Sequence, residues 1–126
     1  MPTSVKDLLA EANQAVPKIA ADEAKRLVEE EDGLLVDVRD GTEVAQTGKL
    51  KGAVHIARGS LEGRVDPDSP NYNPAFKRDQ PVILHCAGGG RAALAGKTLK
   101  DMGYTKVFNG GGFKEMADAG IEVEKT

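Results

Sequence analysis

The run Leu34-Leu35-Val36-Asp37-Val38 is apolar at four of five consecutive positions, and this limits the fold more than any other feature. A strand with one wet face alternates apolar and polar residues. An unbroken apolar run needs cover on both faces, as in a parallel sheet with helices above and below. Val82-Ile83-Leu84, started by Pro81, repeats the pattern, and Ala53 to Ile56 and Lys106 to Phe108 read as shorter strands. A further short strand is expected at Lys18 to Ala20. Helical spacing fills the intervals. Ser4 to Val16 carries an apolar stripe of Leu8, Leu9 and Ala12 behind a Ser4 cap, and Ala21 to Glu31 turns Ala24, Leu27 and Val28 inward. Arg91 to Met102 places Leu94, Ala95, Thr98, Leu99 and Met102 on one face, with Gly103 to stop it. Gly112 to Ala119 reads as a closing helix. Strands alternating with helices predict an α/β fold, a mainly parallel central sheet flanked by helices on both faces. Its length of 126 residues suits one core. Residues 1–16 are read as an N-terminal helix and 17–126 as the domain proper.

The chain's only cysteine, Cys86, ends the second apolar run and opens onto Ala87-Gly88-Gly89-Gly90-Arg91. Three glycines let the peptide N–H groups of the loop curl inward. The helix start behind them adds partial positive charge, and Arg91 adds a full one. Each favours S⁻ over SH, so the pattern points to a nucleophilic thiolate in an anion-binding cradle. In open parallel sheets the site lies beyond the carboxyl ends of the strands, where Cys86 falls. A structural cysteine beside a tight turn is the plainer alternative.

Composition narrows the classes. A net charge of −3 lacks the basic footprint of a nucleic-acid binder. No stretch approaches a membrane span, and the N-terminus lacks a signal-peptide core. One cysteine excludes an internal disulfide and a thiolate zinc cluster, so a reducing, cytoplasmic setting is expected. Any intermediate on Cys86 must be discharged by another molecule. The irregular stretch Arg58 to Arg78 suggests a functional loop or cap with short helical pieces.

Five ordered landmarks resemble the rhodanese-like single-domain sulfurtransferases: Leu35-Val36-Asp37-Val38-Arg39, Gly52-Ala53-Val54-His55-Ile56, Cys86 to Arg91, Leu99 to Tyr104, and Gly111-Gly112-Phe113. They span roughly residues 17 to 123. The resemblance implies a rhodanese-like domain that moves a sulfane sulfur. The Cys86 thiolate would attack the outer sulfur of thiosulfate, release sulfite and carry a persulfide. Cyanide, a small thiol or a protein sulfur acceptor would then take that sulfur. Ala87, Gly88, Gly89, Gly90 and Arg91 would bind the donor and stabilise the leaving group. No metal or organic cofactor, membrane or nucleic acid is implied. A sulfur-carrier or partner-binding module is the alternative from another class. A cysteine-dependent phosphatase of similar fold is the more distant one, because there the arginine follows the cysteine by six positions rather than five.

The chain departs from the family pattern at Gly48-Lys49-Leu50, where histidine is frequent, and at Met116, where an aromatic is frequent. Ala92 stands where many members have a hydroxyl. Arg58, after a strand end, is a candidate to attract the donor dianion. Asp37 and Arg39 are candidates to support the loop, through Arg91 or a loop amide. His85 is expected to be buried, hydrogen-bonded and on the sheet face opposite Cys86. His55 is expected to be structural, and Gly110-Gly111-Gly112 to make a tight turn into the last helix. Arg64, Lys77 and Arg78 are expected at the surface.

Overall fold

The computed structural model describes residues 2–125. Four parallel strands form the main sheet in the order β3-β1-β4-β5, with β1 at Leu34–Asp37, β3 at Val54–His55, β4 at Val82–Cys86 and β5 at Val107–Gly112. A second, two-stranded antiparallel sheet joins β2 (Lys49–Leu50) to β6 (Val123–Glu124). The expected strand at Lys18 shrinks to a single parallel bridge to Asn109. Pro17 has no N–H to extend that ladder, although its carbonyl accepts the Asn109 N–H.

Among the described residues, six α-helices enclose the sheet: α1 (Val5–Ala15), α2 (Ala21–Glu30), α3 (Gly41–Thr47), α4 (Leu61–Val65), α5 (Gly90–Asp101) and α6 (Phe113–Asp118). Strand alternation divides the interior in two. Val36, Val38, Val82, Leu84 and Cys86 point to one side and pack with Val16, Leu61, Val65, Ala92, Ala95 and Leu99. Leu35 and Ile83 point to the other, against Ala24, Leu27, Leu50 and Met116. Both faces are therefore dry, as the continuous apolar runs require.

Helix α5 differs from the expectation in its inner face. Ala92, Ala93, Ala95, Gly96 and Leu99 are buried, while Leu94 and Met102 are only half-buried. Helix α1 lies close against it, and a Cβ on Gly96 would stand 2.8 Å from Val16 Cγ1. Small residues make that approach possible, and sequence periodicity weighted for size looks past them. The segment after β3 carries a 3₁₀ turn, Arg58–Ser60, and then α4. Leu61, Val65 and Phe76 anchor it in the first core. The Tyr104 hydroxyl donates to the Val65 carbonyl at 2.6 Å. Among the described residues, no helix is long and apolar enough to cross a membrane.

Candidate active site

Strand β4 runs to Cys86, two residues past the apolar run, and delivers the thiol to the sheet's carboxyl end. The chain then turns through Ala87 and Gly88 to Gly89, which caps α5 with φ +101°. That left-handed conformation suits glycine and strains any side chain. It swings the Gly89 N–H back onto the thiol, and Cys86 Sγ accepts it at 2.9 Å. Ala87, Gly88 and Gly90 are exposed, whereas Cys86 is only 1% exposed. The sulfur thus lies on the floor of an exposed loop rather than open to solvent.

The glycine run Gly110 to Gly112 does not make the expected turn. It is the second half of β5. A bulge between Leu84 and His85 inserts one extra β5 residue, so that Gly111 pairs with His85 and Gly112 with Cys86. A Cβ on Gly112 would come within 3.0 Å of the Ala87 carbonyl oxygen, so the missing side chain is what lets the loop lie flat against β5. Asn109 completes the attachment. Its Nδ2 donates to the Gly89 carbonyl at 3.1 Å, and its Oδ1 accepts the Gly111 N–H at 2.8 Å. Sequence reasoning missed Asn109. Its signal in the sequence is a lone amide entering a glycine run.

Arg91 enters α5 directly behind the loop, and its guanidinium is not free. Nη1 and Nη2 donate to the two oxygens of Glu43 at 2.7 and 3.0 Å. These bonds hold the Glu43 carboxyl down at about 2, against the smaller upward push of burial, and they raise the Arg91 pKa further. Glu43 Oε1 also accepts the Asp40 N–H at the start of α3. The Asp40-Gly41-Thr42-Glu43 spacing, an acidic cap with a carboxylate three residues on, was the available sign that Glu43 turns back toward the strand ends.

Asp37 and Arg39 lie near the loop but do not touch Arg91 or a loop amide. They form a buried pair, with Arg39 Nε and Nη2 on the Asp37 carboxylate at 2.8 to 3.1 Å. Arg39 also donates to Thr47 Oγ1 and the Gly48 carbonyl, and its guanidinium stacks over Phe113 at 4.1 Å. Burial pushes the Asp37 carboxyl up, but the Arg39 hydrogen bonds and the charges of His85 and Arg39 together outweigh it and leave it below its ordinary value. The pair fastens α3 and α6 to the end of β1. His55 adds to it through Nε2 at 2.8 Å from the Arg39 carbonyl.

His85 is fully buried on the face opposite Cys86, yet neither ring nitrogen has a hydrogen-bond partner among the described residues. The expected hydrogen bond is absent because Asp37, 3.8 Å away, is already committed to Arg39. Burial pushes the imidazole pKa down despite that carboxylate. Arg58 is directed away from the loop. It is held by Glu62 at 3.0 Å and by Thr98 Oγ1 at 3.0 Å, about two turns along α5 from Arg91. Among the described residues, no cluster of His, Cys, Asp and Glu could hold a metal ion.

The model of the rhodanese-like domain matches residues 20–119. The chain belongs to the rhodanese-like domain family. Helix α1 lies outside that match. A sulfurtransferase of Allochromatium vinosum is 30% identical over 86 residues, covering 68% of this chain and 72% of that one. YrkF of Bacillus subtilis is 30% identical over 101 residues, and the chain spans half of its length. Among solved structures, a protein of unknown function from Rhodopseudomonas palustris, described as a possible tyrosine phosphatase, superposes with a TM-score of 0.86. It is 38% identical, and the match covers 98% of this chain and 99% of that one. The polysulfide-sulfur transferase homodimer of Wolinella succinogenes gives a TM-score of 0.76 at 30% identity, covering 96% and 87%. At the level of the family, the chain is a rhodanese-type sulfurtransferase homologue.

Proposed function

We propose that the chain transfers a sulfane sulfur through a persulfide on Cys86. The donor is thiosulfate or a related sulfane compound, and the acceptor is cyanide in an assay or a thiol in the cell. The observation that carries this reading is the Gly89 N–H aimed at Cys86 Sγ from a left-handed loop flush against β5. Once the loop parts to admit the donor, Sγ attacks the outer sulfur and the S–S bond breaks. Sulfite departs with the electron pair. The amides of Ala87 to Gly90 and the start of α5 then hold the terminal sulfur as an anion. Arg91 acts in company with Glu43, and Asp37 and Arg39 keep the strand ends in place around it. Arg58, spent on Glu62 and Thr98, takes no part.

A cytoplasmic, reducing setting suits a chain whose single cysteine must be relieved by an outside thiol. The 1% exposure of Cys86 favours a second reading, a sulfur carrier that discharges only to a protein partner able to part the loop. A phosphatase fits less well, because five positions from Cys86 to Arg91 give a smaller amide ring than a phosphoryl group needs. The test is thiocyanate formation from thiosulfate and cyanide by the wild type and Cys86→Ser. Enzymatic turnover is expected in the wild type and none in the variant. Turnover that survives in Cys86→Ser overturns the proposal. Loading of Cys86 without turnover favours the carrier.

A further inference from the structure

Asn109 is the only asparagine in the chain that precedes a glycine. In such a pair the glycine amide nitrogen can attack the asparagine side chain, since no Cβ stands in its path. Four hydrogen bonds hold Asn109 still. Within β5 its N–H donates to the Pro17 carbonyl at 2.9 Å, and its carbonyl accepts the Ile19 N–H at 3.0 Å. Its Nδ2 donates to the Gly89 carbonyl at 3.1 Å, and its Oδ1 accepts the Gly111 N–H at 2.8 Å. The residue is 4% exposed. Gly110 is the extra residue of the bulge, without a register partner on β4. Its neighbours crowd any side chain: a Cβ there would stand 3.0 Å from Ile83 Cγ2 and 3.2 Å from Met116 Cε. Packing thus favours the very glycine that makes Asn109 reactive, and the hydrogen bonds restrain the reaction.

We propose that Asn109 with Gly110 forms a deamidation site that the closed fold protects, and that its conversion irreversibly detaches the Cys86 loop from β5. Ring closure needs Asn109 to rotate out of its extended strand backbone, which breaks these hydrogen bonds. In a chain so opened, the Gly110 nitrogen yields its proton to solvent and attacks Asn109 Cγ. A new C–N bond closes a succinimide ring, the Cγ–Nδ2 bond breaks, and ammonia departs with the electron pair. Water then opens the ring at either carbonyl and leaves aspartate or isoaspartate, with no oxidant or reductant required. Neither product restores the attachment. Aspartate sets an acceptor oxygen against the Gly89 carbonyl where a donor stood, and it buries a charge there. Isoaspartate adds a methylene to the backbone, so Gly111 and Gly112 lose register with His85 and Cys86. Either way the Gly89 N–H is no longer seated on Cys86 Sγ. This chemistry is independent of what Cys86 accepts.

The full chain is incubated at mildly alkaline pH in buffer and in denaturing urea, and each asparagine is followed by peptide mass. Asn13 and Asn71, both exposed and neither before glycine, are the internal references. In urea, Asn109 is expected to convert about tenfold faster than either, or more. In buffer its conversion is expected to be about a hundredfold slower than in urea, because only opened molecules react. Chains converted in urea are returned to buffer and separated from unconverted ones by anion exchange, on their extra negative charge. Deuterium exchange across residues 87–91 is then expected to be about tenfold faster in the converted chains, with residues 34–38 protected as in unconverted ones. Conversion of Asn109 in buffer as fast as in urea, or no faster than Asn13 in urea, overturns the proposal. So does equal protection of the loop in converted and unconverted chains, or a loss of protection as large at 34–38 as at 87–91.

Discussion

Gly112→Ala tests whether the glycines of β5 exist to seat the loop. Gly112 has φ −99° and ψ 152°, ordinary extended values that alanine adopts without strain. The cost of the substitution is therefore steric. The new Cβ would fall within 3.0 Å of the Ala87 carbonyl oxygen, and the atom in its way is backbone, which cannot swing aside as a side chain tip can. Overpacking of this kind costs about 1–3 kcal/mol, and at about 4 °C per kcal/mol a middle value lowers the Tm by about 8 °C. The same displacement lifts Ala87 and drags the Gly89 N–H off Cys86 Sγ, so sulfur loading should slow more than stability alone explains. Gly59→Ala is the control, because a Cβ there meets nothing within 4 Å. Its stability should stay within about 0.5 kcal/mol of wild type. Thermal melts and the rate of mass gain on Cys86 read both effects. A Gly112→Ala protein that melts with the wild type and loads at its rate would refute the steric argument.

Three further outcomes follow from the same contacts. Asn109→Ala removes the bonds to the Gly89 carbonyl and the Gly111 N–H, and urea unfolding should show a loss of about 2 kcal/mol together with slower loading; unchanged loading would mean the loop does not depend on Asn109. Arg39→Ala strands Asp37 as a buried charge and should cost about 3–5 kcal/mol by urea unfolding, with Arg39→Lys intermediate because it keeps the charge but not the fork; an unchanged midpoint in Arg39→Ala would show the pair to be dispensable. Burial lowers the His85 pKa in the folded chain, so below its unfolded value near 6.5 the unfolded chain binds the proton first. Stability should therefore be full above pH 7 and fall as the pH drops through 6 toward 5, and His85→Gln should flatten that slope; an identical slope in the variant would remove His85 as its cause.

The parallel sheet was legible because Leu34 to Val38 and Val82 to Leu84 are apolar without interruption, and only a sheet covered twice explains that. Cys86 at a strand end before glycines was legible for the same local reason. The partners of the charged residues were not. Nothing in local spacing tells that Arg91 meets Glu43, 48 residues earlier, or that Arg58 folds onto Thr98, 40 residues later. Such pairs depend on which strand ends and helices become neighbours in the assembled sheet. The Gly110 to Gly112 run predicts a turn, because glycine signals a turn far more often than a strand, yet it lies in β5. Only the approach of Ala87 from across the sheet explains its presence in β5. The exposure of Cys86 was hidden likewise, since a glycine-rich loop does not announce that it folds over its own thiol.

The most direct measurement is the mass of the Cys86 peptide after the intact protein is treated with a sulfane donor and then with cyanide. The proposed chemistry predicts a gain of one sulfur atom confined to that peptide, lost again on cyanide treatment and never acquired by Cys86→Ser. A Cys86 peptide that keeps its original mass with every donor tried, while the protein remains folded, would contradict it.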